Sequence, residues 1–107
     1  MTNIYKLGVK NMRLTDKEVK FILSTFQEVF KSGNIYLFGS RVDDNKRGGD
    51  IDLYIQTDNK ENLGEKKIDF LVELKRKIGE QKIDIVISRD TDRAIEQEAI
   101  SKGIKLW

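Results

Sequence analysis

Positions 38–55 read FGSRVDDNKRGGDIDLYI, and positions 82–87 read KIDIVI. Asp50 and Asp52 stand two residues apart at the start of an alternating stretch, and Asp84 stands inside a second one. Aspartate is uncommon in strands, because its side chain favours turns and caps over extended pairing. In a strand, side chains two apart point to the same face. Asp50, Asp52, Tyr54 and Gln56 therefore share one face, and Ile51, Leu53 and Ile55 take the core side. By the same test Ile83, Ile85 and Ile87 point inward, and Asp84 and Val86 point away. If the two strands are neighbours, Asp50, Asp52 and Asp84 gather on one solvent-facing side. One aspartate after Gly-Gly is an ordinary turn residue, and one on a wet strand face is simply solvated. Three on matching parity repel one another. At ~4 Å a like-charge pair costs about 1 kcal/mol in bulk water and several times that near a protein surface. One or two divalent cations would reverse the sign of that interaction, as in two-metal phosphoryl-transfer sites.

Gly39 and Ser40 precede this pair by a spacer that runs from Arg41 to Gly49. A glycine at a strand end lets backbone N–H groups approach a phosphate closely, and the serine hydroxyl adds a donor. Gly-Ser alone means little more than a turn. Neither G-x-x-x-x-G-K-[ST] nor G-x-G-x-x-G occurs. The chain contains no Cys and no His, so disulfides, thiolate chemistry, imidazole acid–base catalysis and the usual zinc ligand sets are excluded. A metal site would have to use oxygen ligands, which suit Mg²⁺ or Mn²⁺. The net charge of +2, with charged residues at 36%, is too mixed to indicate nucleic acid or membrane by itself. No secretory h-region and no long apolar run is visible, and a cytoplasmic protein is expected.

The elements that must carry these residues are legible from periodicity. A chain of 107 residues suggests one domain, 1–107. Thr15 and Glu18 fit a capping box, and Val19, Ile22, Phe26, Val29 and Phe30 recur at helical spacing, with Gly33 as a stop. A short apolar strand is expected at 34–38 and a half-buried strand at 50–56. A helix over 64–79 places Ile68, Leu71, Val72 and Lys75 along one side, flanked by Leu74 and Ile78. Its other face carries Lys66, Lys67, Arg76 and Lys77, which most simply are solvated. A third strand spans 81–88. Asp90 or Thr91 would cap a last helix over roughly 91–102, ended by Gly103, and the tail GIKLW packs its apolar residues down. The expected fold class is α+β, a small mixed sheet with helices packed on one face. Tyr5, Tyr36 and Tyr54 read as packing residues, although Tyr54 shares the acidic face and could stack on a base.

LFGSR at 37–41, DIDL at 50–53 and KIDIVI at 82–87 resemble the minimal nucleotidyltransferases of the DNA polymerase beta-like superfamily, and the ending AIEQEAISKGIKLW is similar as well. The resemblance covers about positions 15–107. It implies the nucleotidyltransferase fold and Mg²⁺-dependent transfer of AMP from ATP to a hydroxyl. Gly39, Ser40 and Arg41 would hold the triphosphate. Asp50 and Asp52 would bind two Mg²⁺ ions, and Asp84 would complete one metal site and help activate the acceptor. The sequence departs from the family after Gly-Ser-Arg, where Val42, Asp43 and Asp44 stand instead of a small residue and Gly; Asp43 and Asp44 read as exposed turn residues. The superfamily's larger members hold their acceptor with extra domains, for which this chain has no room. The resemblance therefore implies a partner, a HEPN-domain ribonuclease toxin, with this chain as the antitoxin of a toxin–antitoxin pair that adds AMP to a toxin tyrosine. No membrane partner and no direct nucleic-acid binding are expected. Two alternatives stay open: a subunit that modifies a small-molecule alcohol, and a binding module that blocks the toxin without catalysis.

Overall fold

In a computed structural model of the chain, residues 14–39, 51–79 and 81–107 are described. The first helix, α1, runs Asp16–Phe30. The expected capping box is present: the Thr15 hydroxyl accepts from the Glu18 N–H, and the Glu18 carboxylate accepts from the Thr15 N–H. Together these satisfy two of the amide donors that a helix start leaves open. The apolar spacing turns Val19, Ile22, Phe26 and Phe30 inward, all buried. The helix ends at Phe30, with Lys31 at a positive φ of 73°. Gly33 then lets the chain turn into the sheet. Its φ is +122°, and a side chain there would collide with the Gln56 carbonyl.

The strands are β1 (Asn34–Phe38), β2 (Ile51–Gln56), β3 (Ile83–Ile87) and a two-residue β4 (Ile104–Lys105). Their order is β3-β2-β1-β4. β1 pairs antiparallel with β2 and with β4, whereas β2 and β3 run parallel. The parallel pair requires a crossover, which α2 (Leu63–Ile78) supplies. The expected tail is thus an edge strand: Leu106 N–H donates to the Ile35 carbonyl, and Leu106 is buried.

α1 and α2 cover one face of the sheet, as the alternation requires. Ile35, Leu37, Ile51, Leu53, Ile55, Ile83 and Ile85 join Val19, Ile22, Phe26, Phe30, Phe70 and Leu74 in one core. Each large side chain so buried contributes about 1.5–3 kcal/mol. The face of α2 differs from the expected one. Phe70 and Leu74 are its buried residues, while Ile68 and Val72 are 62% and 50% exposed. The reason is rotational: Leu71 and Leu74 fit either stripe, and the Phe30–Phe70 ring contact, with centroids 5.8 Å apart, selects the one containing Phe70. Nor is the basic side of α2 uniformly solvated, because Lys77 donates to the Thr25 hydroxyl and pairs with Glu28, tying α2 to α1.

The third helix, α3 (Ala94–Lys102), stands apart from the other two. Its Ala99 packs with Phe38 and Tyr54, and with half-buried Tyr36 and Val86. These sheet residues have the parity of Asp52, so α3 lies on the second face of the sheet. The expectation of helices on one face holds for α1 and α2 and is extended by α3. Neither Asp90 nor Thr91 caps α3; the cap position is Arg93, with no side-chain cap bond. Among the described residues, no helix is long and apolar enough to cross a membrane.

Candidate active site

The site is built from the strand register. Asp52 on β2 and Asp84 on β3 are Cα partners in the parallel pair. Neighbouring strands lie about 4.8 Å apart, and both side chains have the parity that faces away from the α1/α2 core. Asp84 is exposed and Asp52 half-buried. The structure thus brings these two sequence-predicted carboxylates together. Asp50, Ser40 and Arg41, like Asp43, Asp44 and Tyr5, lie outside the described residues. Among the described residues no group of three or more metal-binding side chains is assembled.

Gly39 completes the described part of the site. It follows Phe38, the antiparallel partner of Asp52, and has a φ of +77°. A side chain at Gly39 would overlap the carboxylate of Asp52. The glycine therefore serves two needs at once: a left-handed turn out of β1 and room for a carboxylate pressed against the backbone. The donors present, two carboxylates on adjacent strands in a chain without His or Cys, suit a hard divalent cation. No bulky group is needed to bring them there, since two neighbouring backbones fix both Cβ atoms.

Beside the aspartates the sheet face is closed by a buried network that periodicity could not foresee. Tyr54 is fully buried and donates its hydroxyl to Glu96 Oε1 at 2.6 Å. This overturns the expectation that Tyr54 could stack on a base. It shares the face of Asp52, but α3 covers it. The Ser88 hydroxyl also donates to Glu96 Oε1, at 2.6 Å. Glu96 Oε2 accepts from the Arg89 and Asp90 backbone N–H groups and from the Arg93 guanidinium. Gln56 extends the chain, donating to the Tyr54 hydroxyl and accepting from Asn34. Burial by itself would raise the Glu96 pKa. The hydrogen bonds from Ser88, Tyr54, Arg89 and Asp90 outweigh it and bring the pKa down to about 2. Burial, followed by the bond to this carboxylate, raises that of Tyr54. One fully buried carboxylate thereby ties the turn after β3 to the first turn of α3 and to the middle of β2. Since β2 carries Asp52 and β3 carries Asp84, the network holds the two strands that carry the site. Its sequence signal was faint: an acid at the third position of a helix, preceded by Ser-Arg-Asp.

The model of the polymerase beta, nucleotidyltransferase family matches residues 17–107, and the chain belongs to that family. Among the described residues, the four-stranded mixed sheet and three helices are consistent with the family's nucleotidyltransferase fold. Among curated proteins, no match to the chain was found.

Proposed function

We propose that this nucleotidyltransferase domain transfers AMP from ATP to a hydroxyl, that the acceptor is a tyrosine of a partner HEPN ribonuclease toxin, and that the chain thereby acts as an antitoxin. The observation that carries the transfer reading is the in-register pair Asp52 and Asp84, with Gly39 against the carboxylate of Asp52. The resemblance of LFGSR, DIDL and KIDIVI to minimal nucleotidyltransferases supports the choice of nucleotide and partner. The position of Asp84 on a strand that, among the described residues, is paired on one flank only supports a large acceptor over an enclosed small one.

In this reading Asp52 and Asp84, with Asp50 two positions before Asp52 in sequence, would hold Mg²⁺. Bound Mg²⁺ would supply positive charge to offset the charge that develops on the phosphates. Gly39, at the turn out of β1, would offer its backbone to the triphosphate, with Ser40 and Arg41 following it in sequence. Asp84 accepts a hydrogen bond from the acceptor hydroxyl and orients it. The hydroxyl oxygen forms a bond to the α-phosphorus, the bond from that phosphorus to the bridging oxygen breaks, and pyrophosphate leaves. The hydroxyl proton passes to Asp84 or to solvent. Glu96 and Tyr54 are positioning residues, since they reach the aspartates only through the strands.

The test is incubation of the purified chain with labelled ATP, Mg²⁺ and the co-purified HEPN protein. Label should appear on a tyrosine of that protein, and Asp52→Asn should remove it while leaving the melting temperature within a few degrees. Labelling undiminished in Asp52→Asn would end the metal role. Labelling of small alcohols in place of protein would replace the acceptor. Toxin neutralisation that survives an Asp52→Asn/Asp84→Asn double variant would make the chain a binding antitoxin.

A further inference from the structure

Among the described residues β3 is an edge strand, and its outer flank has the chemistry of a peptide-docking groove. Among the described residues β3 is hydrogen-bonded on one side only, to β2. The Lys82 carbonyl accepts from the Ile51 N–H, and the Ser88 N–H donates to the Ile55 carbonyl. In a parallel ladder the bonded residues alternate, so the even-numbered positions 82–88 face β2. Ile83, Ile85 and Ile87 consequently present their N–H and C=O groups to the outer edge. Along this edge runs a groove of about 370 Å³. Its floor is apolar, built from Leu63, Ile85, Val86 and Ile87, and its polar walls are Lys67, Arg89 and Arg93. Among the described residues no carboxylate lines it. Arg93 is committed to Glu96. Lys67 and Arg89 are exposed, and among the described residues no carboxylate pairs with either side chain.

Unpaired strand edges are templates for pairing with another chain, and natural proteins ordinarily protect them. Among the described residues, the charged lining of the groove is of a single sign, which selects the occupant. We propose that the β3 edge docks an extended, acidic segment of the acceptor protein, which adds to the sheet as a further strand. Backbone pairing with Ile83, Ile85 and Ile87 supplies register, apolar side chains of the segment fill the floor, and its carboxylates meet Lys67 and Arg89. Nucleic acid fits less well: among the described residues the lining contains no aromatic on which a base could stack, and a phosphate backbone has no use for a strand edge. The proposal deepens the transfer reading and rests on it for one consequence. Asp84 lies on β3 itself, five positions before Arg89, which stands in the turn that follows the strand. A segment so docked would carry its acceptor hydroxyl beside Asp84 and its acidic residues about five positions away.

The experiment is fluorescence anisotropy with a short fluorescein-labelled peptide of alternating valine and glutamate, at low salt and without nucleotide or metal. The peptide should bind, its lysine counterpart should not, and a peptide N-methylated on alternate amides should lose binding. The double reversal Lys67→Glu/Arg89→Glu should weaken the glutamate peptide at least about tenfold, equivalent to about 1.4 kcal/mol, and should gain the lysine peptide. That exchange separates recognition from misfolding. Equal binding of both peptides, or full binding of the N-methylated one, would overturn the proposal. So would an oligouridylate that displaces the peptide with the same sensitivity to the variant, or self-association of the chain that the double reversal abolishes. Asp52→Asn should retain peptide binding while losing transfer. Loss of the transfer reading therefore leaves the docking result standing, and transfer without peptide binding removes the docking alone.

Discussion

Replacing Glu96 by glutamine tests how the second face of the sheet is held. The two side chains have nearly the same shape, so the change isolates charge and hydrogen-bond polarity. Every group directed at Glu96 is a donor: the Tyr54 and Ser88 hydroxyls, the Arg89 and Asp90 amides and the Arg93 guanidinium. An amide NH₂ in place of one carboxylate oxygen would meet donors and leave them unsatisfied inside the protein. The magnitude follows from linkage. The folded pKa falls from the ordinary 4.5 to about 2, and at about 1.4 kcal/mol for each tenfold change in acidity the ionised network stabilises the fold by about 3 kcal/mol at neutral pH. Because the folded pKa is the lower one, this stability is complete above the unfolded value. It declines as pH falls through the folded value. About half should remain near pH 3 and little at pH 2.

The assay is urea unfolding of wild type and Glu96→Gln between pH 7 and pH 2.5. The variant should be less stable by about 3 kcal/mol at pH 7, and the gap should narrow to half or less at pH 3. Taking the difference between the two proteins cancels the titration of the other carboxylates, provided that they lie outside the network. A gap below about 1 kcal/mol at pH 7, or one that stays constant with pH, would refute the account of Glu96 as an ionised clasp.

Tyr54→Phe removes one donor to Glu96 and one acceptor for Gln56; it should cost about 1–2 kcal/mol and raise the Glu96 pKa, seen as an acid transition shifted to higher pH. Gly39→Ala should abolish nucleotidyl transfer, because a methyl there forces the Asp52 carboxylate aside, and strain at a positive φ should cost about 1–2 kcal/mol in thermal unfolding. Gly33→Ala meets the Gln56 carbonyl on the far end of the sheet; it should lower stability by a similar or larger amount, about 2 kcal/mol. The variant should retain transfer per folded molecule, and loss of transfer in soluble, folded Gly33→Ala would contradict the placement of the site at the other end.

Local pattern was enough to place most of the molecule. Thr15 and Glu18 announce the start of α1 because a capping box needs only residues three apart. The alternation of Ile51, Leu53 and Ile55, and of Ile83 and Ile85, assigns a core face because the strand period is two. The same period gives Asp52 and Asp84 the parity that points away from the core, a common side once the two strands are neighbours. Tertiary structure alone decided the rest. That β2 and β3 are parallel neighbours with Asp52 beside Asp84 depends on the α2 crossover, which no local spacing encodes. Which stripe of α2 is buried was settled by the ring of Phe30 against Phe70, since Ile68 and Val72 are as apolar as the residues that won. The placement of α3 on the second face, which buries Tyr54 and makes Glu96 a buried anion, came from packing between segments more than forty positions apart. Periodicity reports which way a side chain points from its own backbone, and only the assembled chain determines what waits there.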